Sequence, residues 1–202
     1  MMDIVLASSN QGKIKEFQQI FDNFNLSVMP QDILGIDSAE ETGQTFMENA
    51  LIKARHASAL ASLPAIADDS GLEVDCLNGA PGVMSARFAG ENSSDEENNQ
   101  YLMELLKNIP IEKRTARYHC TIVYLEQPAQ SNPIICQGSW EGIIADVSFG
   151  TGGFGYDPLF IVKDFGLRAS ELRPAEKNKI SHRGQAMAKL MDALSSRRMR
   201  PE

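Results

Sequence analysis

Along the chain, short apolar runs alternate with segments in which apolar residues recur every three or four positions. The runs at 3–7, 26–30 and 64–68 predict buried strands, because four to eight apolar residues bounded by turn residues are typical of core strands. Between the first two runs, helical spacing predicts an amphipathic helix with an apolar face formed by Ile14, Phe17, Phe21 and Phe24. Alternating strands and helices favour an α/β fold.

Two further helices are indicated by the capping-box pattern, in which Ser or Thr is followed three residues later by Glu. Thr45 and Glu48 predict a helix that continues to about residue 62, and Ser94 and Glu97 predict a second helix. The apolar stripe of the first comprises Phe46, Ala50, Ala54, Ala57 and Ala61. The apolar residues of the second are Leu102, Leu105 and Leu106.

The second half of the chain predicts two antiparallel strands at 115–125 and 134–146, which are rich in β-branched and aromatic residues. The glycine-rich loop GTGGFGYDP (150–158) precedes a strand at 159–162, and a last helix is predicted from Ser181. The apolar residues of this helix are Met187, Leu190, Met191 and Leu194. Without an internal repeat or linker, the 202 residues predict one continuous domain, 1–202.

Composition narrows the class of protein. A net charge of −8 and a pI near 5.0 argue against general affinity for nucleic acid or for an anionic membrane. Cys76, Cys120 and Cys136 lack CxxC spacing, which argues against a disulfide framework or a zinc site and favours core packing. No apolar stretch is long enough to span a membrane, and no signal peptide precedes residue 3, so we expect a cytoplasmic protein.

Asp68 and Asp69 follow an apolar run directly, in the segment AIADDSGLEV. Two neighbouring carboxylates repel, so they require water, a cation or a basic partner. Alone, this stretch favours a solvated turn, although GLEVDC continues extended beyond the pair. Together with the loop acids Glu40 and Glu41, the pair could instead supply oxygen ligands for Mg²⁺ beside a phosphate.

A polar turn lies between the first strand and the first helix. Backbone N–H groups at a helix N-terminus bind anions, and a lysine adds positive charge; plain helix capping is the alternative interpretation. The P-loop pattern is absent. Lys53, two turns after Thr45, could face the same phosphates, although a solvated lysine is the commoner outcome. The residues of the turn are Ser8, Ser9, Asn10, Gln11, Gly12 and Lys13.

Two late segments could bind the rest of a ligand. Lys177, Lys179, His182 and Arg183 lead into the last helix. Ordinary solvated charge explains the two lysines, but the helix dipole disfavours cations at a helix start unless an anionic or carbonyl-bearing ligand compensates. In the glycine-rich loop, Phe154 or Tyr156 could stack on a flat ring, and a hairpin with a packed aromatic residue is an equal alternative. A strand rather than a helix follows this loop, so a Rossmann site is rejected.

Taken in order, these segments resemble the inosine/xanthosine triphosphate pyrophosphatase family, enzymes that remove non-canonical purine nucleotides. The resemblance runs essentially from end to end. Where the family has T-G-N-x-x-K, this chain has Ser8 and Ser9 first, so a Cβ replaces a glycine that would permit positive φ. The motifs that carry the resemblance are SSNQGK (8–13), ADDSGL (67–72), GAPG with SAR (79–82 and 85–87), GTGGFGYDP (150–158) and SHRG (181–184).

The resemblance implies an α/β fold with a long, mixed, twisted sheet flanked by helices, two lobes with a central cleft, and a homodimer. It implies a Mg²⁺-dependent reaction in which a purine nucleoside triphosphate and water give the monophosphate and pyrophosphate. Asp69 would be the general base. Asp68 and Glu40, with Glu41 as the less certain choice, would help to hold the metal beside Asp69.

The resemblance also assigns the substrate contacts. Asn10, Lys13 and Lys53 would neutralise the phosphates, and Phe154 would stack on the base. His182 and Arg183 would direct donors at the carbonyl oxygen on purine C6, which adenine lacks. The full set of substrate-binding residues is Ser8, Ser9, Asn10, Gln11, Gly12, Lys13, Lys53, Ser70, Phe154, Gly155, Tyr156, Asp157, Lys177, His182 and Arg183.

Two other functions remain as alternatives. A Maf-type pyrophosphatase of modified pyrimidine nucleotides is disfavoured by the GTGGFGYDP and SHRG segments. A nucleotide-binding regulator without turnover is disfavoured because every acid that the chemistry requires is present.

Overall fold

The computed structural model describes residues 3–21 and 27–198, and every structural statement below concerns these residues. They form a mixed α/β fold. The strands are β1 (Asp3–Leu6), β2 (Ser27–Pro30), β3 (Ala65–Val74), β4 (Thr115–Leu125), β5 (Ile134–Ile144) and β6 (Phe160–Val162). The α-helices are α1 (Gln11–Phe21), α2 (Phe46–Ala61), α3 (Asp95–Leu106), α4 (Pro174–Ile180) and α5 (His182–Arg198). The predicted α/β class is confirmed.

The six strands form one sheet in the order β2-β1-β3-β4-β5-β6. β1 runs parallel to both β2 and β3, with Val5 opposite Ala65, whereas β5 and β6 are antiparallel, with Gly142 opposite Val162. The sheet is therefore mixed, as expected. Both strands predicted in the second half are present and are neighbours in the sheet.

The chain divides into two compact units. Unit 1 comprises Met1–Asp69, Cys120–Gly138 and Arg183–Glu202, and unit 2 comprises Ser70–His119 and Ser139–His182. Each unit has its own core, described separately below. The single domain over 1–202 stays a prediction.

The core of unit 1 lies around the parallel strands. Phe17 and Phe21 of α1 are buried against Ile4 and Leu6 of β1. On α2, the buried apolar residues are the small side chains Ala50, Ala54 and Ala57, which belong to one core cluster with residues of β1 and β3. The predicted stripe of α1 is confirmed as far as Phe21; Phe24, and Leu26 of the second predicted strand, lie outside the described residues.

The core of unit 2 is aromatic. Tyr118 and Trp140 lie 4.7 and 5.4 Å from the ring of Phe160, measured between ring centroids. From α3, Leu102 and Leu106 join this core, whereas Leu105 is 40% exposed. Leu105 therefore lies outside the buried face of α3, although it was predicted among the apolar residues of this helix.

The helix ends follow local chemistry. Both predicted capping boxes are present: the Thr45 and Ser94 hydroxyls accept the backbone N–H groups of Glu48 and Glu97, whose carboxylates accept in return. The helix predicted from Ser181 begins at His182 instead. Ser181 is extended and ends α4, a seven-residue helix that the hydrophobic pattern did not predict.

Two expectations about composition can also be compared with the structure. Cys120 and Cys136 are buried and Cys76 is partly buried, and all three are free thiols, as expected for core packing. Among the described residues, no helix is long and apolar enough to cross a membrane.

The packing of α1 makes a testable prediction. Phe17 is fully buried and lies 6.0 Å from Phe21, measured between ring centroids, so Phe17→Ala leaves a cavity between α1 and β1. We expect the free energy of unfolding, measured with urea, to fall by about 3–5 kcal/mol. Phe165→Ala is the control, because Phe165 is 52% exposed and its loss should change stability by less than about 0.5 kcal/mol. Equal losses would contradict this view of the core.

Candidate active site

Asp68 and Asp69 lie inside β3, 1% and 6% exposed, and not in a solvated turn. The turn interpretation is therefore wrong, and the extended continuation to Val74 is confirmed. Successive side chains of a strand point to opposite faces of the sheet, so the two carboxylates have different surroundings. Each is paired with its own cations within unit 1.

Asp68 lies between two basic side chains. Its Oδ2 is 3.0 Å from Lys13 Nζ and 3.5 Å from Arg183 Nε. Burial alone would raise the pKa of Asp68, but Lys13 and Arg183 outweigh it and hold this pKa below its ordinary value. Asp68 therefore remains ionised. The thiol of Cys120, 4.0 Å from Asp68, has a pKa raised by burial, as expected of an inert core cysteine.

Arg183 is itself 2% exposed, and its guanidinium also donates to the carboxylate of Glu16 on α1. A buried cation is thus shared by two carboxylates, as such a charge requires. This placement differs from the expectation that Arg183 directs its donors at a base. Glu16 was missed by sequence reasoning, because one acid on a helical surface carries no signal.

Asp69 is held by two donors from α2. Lys53 Nζ lies 3.3 Å from Oδ1, and Asn49 Nδ2 donates to Oδ2 at 3.2 Å. Burial raises the pKa of Asp69 more than Lys53 lowers it. Conversely, burial lowers the pKa of Lys53, but Asp69, Asp68 and Glu41 raise it overall. Lys53 is therefore not the solvated lysine of the common case.

Whether this site fits Mg²⁺ depends on which carboxylates lie close together. Lys53 Nζ is 2.6 Å from Glu41 Oε1 as well as 3.3 Å from Asp69, so these two carboxylates face one cationic group. Glu40 is exposed. No three His, Cys, Asp or Glu side chains of the described residues form a ready metal site. Mg²⁺ is usually bound by one or two carboxylates together with substrate phosphates, so the Glu41–Asp69 pair fits it.

The polar turn before α1 is shaped by its own side chains. The Asn10 side chain accepts the backbone N–H of Lys13 at 3.0 Å, and the Ser8 hydroxyl accepts the N–H of Asn10. Gln11 and Gly12 are the first residues of α1. Ser9 is not among the residues with positive φ, so a Cβ is tolerated there without strain. Its hydroxyl accepts from Ser38 at 3.2 Å.

In unit 2, Asp157 organises the glycine-rich loop. Its Oδ2 accepts the backbone N–H of Phe154 at 2.9 Å and Lys177 Nζ at 2.6 Å. The Lys177 ammonium also lies 4.9 Å from the centre of the Phe154 ring. The backbone N–H of Gly155 donates to Asp95. These contacts bring together four of the predicted substrate-binding residues.

The remaining predicted residues of unit 2 differ in exposure. Tyr156 is 3% exposed and its hydroxyl donates to the Ser85 carbonyl, whereas Phe154 is only partly buried. Of the two aromatic side chains, Phe154 is therefore the more exposed. His182 is buried parallel to the Tyr118 ring, 4.7 Å away between centroids. Ser70, directly after Asp69, is partly buried.

Unit 1 thus holds a buried acidic pair with basic partners, and in unit 2 a lysine of α4 lies over an aromatic side chain of the glycine-rich loop. The sequence model of the Ham1 family matches residues 4–193. The chain belongs to the Ham1 family.

Relatives and solved structures agree with this assignment. The dITP/XTP pyrophosphatases of Shigella flexneri and of Escherichia coli (strain K12) are each 53% identical to the chain over 194 residues, which are 96% of this chain and 98% of each relative. The structure of a HAM1 protein from Coxiella burnetii has 47% identity and a TM-score of 0.89, covering 97% of this chain and all of that one. The Staphylococcus aureus Ham1 protein has 41% identity and a TM-score of 0.84, covering 96% and 99%.

The burial of Asp69 makes a prediction about stability and pH. The pKa of Asp69 is raised on folding. Its contribution to the stability of the folded state is therefore complete below the pKa of the unfolded chain, and it is lost as the pH rises through the pKa of the folded protein. At pH 7 the buried charge therefore opposes folding. We expect Asp69→Asn to melt at a higher temperature than wild type at pH 7, with a difference that shrinks toward about pH 4, near the ordinary pKa of Asp. A lower melting temperature for the variant at pH 7 would contradict this.

Proposed function

We propose that the protein hydrolyses non-canonical purine nucleoside triphosphates (dITP, ITP and XTP) to the monophosphate and pyrophosphate. The observation that carries this proposal is Asp69: a buried carboxylate of raised pKa, held by Lys53 and Asn49 next to a second acid. It is supported by relatives that are named dITP/XTP pyrophosphatases and are 53% identical over nearly their full length.

In this reaction Asp69 takes a proton from water. The water oxygen bonds to the α-phosphorus, the bond from that phosphorus to the bridging oxygen breaks, and pyrophosphate leaves. Asp68, kept ionised by Lys13 and Arg183, serves a different purpose: it holds the Lys13 ammonium at the polar turn.

Mg²⁺ would be held by Glu41 and Asp69, because these are the two carboxylates that converge on one cationic group. When bound, the metal would neutralise charge on the phosphoryl oxygens. Among the loop acids, the contacts favour Glu41 over Glu40. Lys53, which lies between the two carboxylates, would then donate to a phosphate.

The other ends of the nucleotide have separate candidates. Lys13 and the polar turn at 8–13 would bind the phosphates, since they lie at the N-terminus of α1. In unit 2, Phe154 would stack on the base, and Lys177 and His182 would supply donors to a purine carbonyl. Adenine, with an amino group at C6, would leave such donors without an acceptor.

The remaining parts of the proposal come from the resemblance to the family and, for the location, from the sequence. They are two lobes with a central cleft, a homodimer and a cytoplasmic location.

A nucleotide panel tests the proposed substrate class. We expect pyrophosphate release from dITP, ITP and XTP with Mg²⁺, and kcat/KM for dATP and dCTP lower by at least about 100-fold, because a site that uses donors to bind a carbonyl rejects an amino group. Pyrophosphate and monophosphate are measured separately. A preference for modified pyrimidine nucleotides would favour the Maf-type alternative, and binding of dITP without turnover would favour the regulator.

The assigned base makes a second kinetic prediction. Asp69→Asn should lower kcat by about 10²–10⁴-fold, as expected for the loss of a general base, while the protein stays folded. Asp164→Asn is the matched control, because Asp164 is exposed and lies in a turn of unit 2. If the Asp69 variant keeps half of the wild-type kcat at saturating Mg²⁺, another group is the base.

A further inference from the structure

Helices α2 and α3 begin with the same pattern of residues. Each has a capping hydroxyl, a Glu three positions later and an Asn directly after that Glu: Thr45 with Asn49, and Ser94 with Asn98. Both asparagines are buried, with 0% and 3% exposure. A polar amide is buried at such a position only when its hydrogen bonds are satisfied inside the protein.

Both asparagines anchor the loop that precedes their helix. The Asn49 Oδ1 accepts the backbone N–H of Gly43, and the Asn98 Oδ1 accepts that of Ala89, each at 2.8 Å. Gly43 lies so close that a Cβ there would be 2.6 Å from Asn49 Oδ1. Because a backbone N–H can only donate, the oxygen of Asn49 must face Gly43, and its NH₂ group must point the other way.

The two NH₂ groups have different acceptors. The Asn98 Nδ2 donates to the backbone carbonyl of Ala86, a purely structural contact, whereas the Asn49 Nδ2 donates to Asp69 Oδ2, both at 3.2 Å. Lys53 contacts the other oxygen of Asp69. Each oxygen of the Asp69 carboxylate therefore accepts from a side chain of α2, and rotation about the Cβ–Cγ bond would break both contacts.

We propose that Asn49 is a positioning residue, which orients the Asp69 carboxylate for removal of the proton from water. This inference rests on the proposed function, in which Asp69 is the general base. Through Gly43, the same amide holds the loop that carries Glu41, so Asp69 and Glu41, which both contact Lys53, share one anchor. Small misplacements of a reacting group are costly, of the order of 100-fold in rate for about 1 Å.

The test compares Asn49→Ala, Asn49→Asp and Asn98→Ala with wild type, with dITP at saturating Mg²⁺. We expect Asn49→Ala to lower kcat by about 10–100-fold, as for other residues that orient a reacting side chain, with little change in KM. Asn49→Asp keeps an acceptor for the Gly43 N–H but places an oxygen against Asp69, so its kcat should fall at least as far. Asn98→Ala loses the equivalent loop contact, and should lower the melting temperature but leave kcat within about twofold.

Three results would overturn the proposal: a wild-type kcat in Asn49→Asp, the same kcat in Asn49→Ala as in Asn98→Ala, or an effect on KM alone. Loss of the fold in both Asn49 variants, with Asn98→Ala folded, would make Asn49 a structural residue and would also overturn it. Failure of the proposed function looks different. In that case wild type releases no pyrophosphate, or Asp69→Asn keeps its activity whatever the Asn49 variants do.

Discussion

The arrangement of unit 1 depends on one constraint: two adjacent carboxylates are buried in the middle of a strand. Because neighbouring side chains of β3 face opposite ways, each carboxylate has its own set of directly contacting partners. α1 supplies Lys13 and α5 supplies Arg183 to Asp68, while α2 supplies Lys53 and Asn49 to Asp69. Helices α1, α2 and α5 thus each contact Asp68 or Asp69.

The unequal partners give the two acids unequal properties. Asp68 has a pKa below its ordinary value, and Asp69 has a pKa above it, although they are neighbours in the chain. When their surroundings give two carboxyl groups different pKa values, one can stay ionised while the other accepts a proton. Glu16 adds a second carboxylate around Arg183, which contacts both Glu16 and Asp68.

Local chemistry explains which features could be predicted from the sequence. The capping boxes at Thr45 and Ser94, the apolar stripe of α1 and the strand at 115–125 depend on residues within a few positions, and they are confirmed. The burial of Asp68 could not be predicted in this way, because its partner Arg183 is 115 residues away. Within AIADDSGLEV the two acids resemble a turn. Their burial in a strand is compensated by cations from distant parts of the chain, such as Lys13 and Arg183.

The same distance in sequence explains the residues of the candidate site that were missed or misplaced. His182 and Arg183 were expected to direct their donors at one base because both begin the last helix, yet adjacent residues of a helix do not share a face, and the two side chains have different surroundings. Asn49 looked like an ordinary helical residue, because its pattern is the same as that of Asn98, and only the acceptor of the NH₂ group distinguishes them. Local pattern therefore identifies the anchor of a loop, whereas the tertiary fold decides whether that anchor also contacts a reacting group. In this protein the acceptor is a carboxylate of β3 for Asn49 and a backbone carbonyl for Asn98.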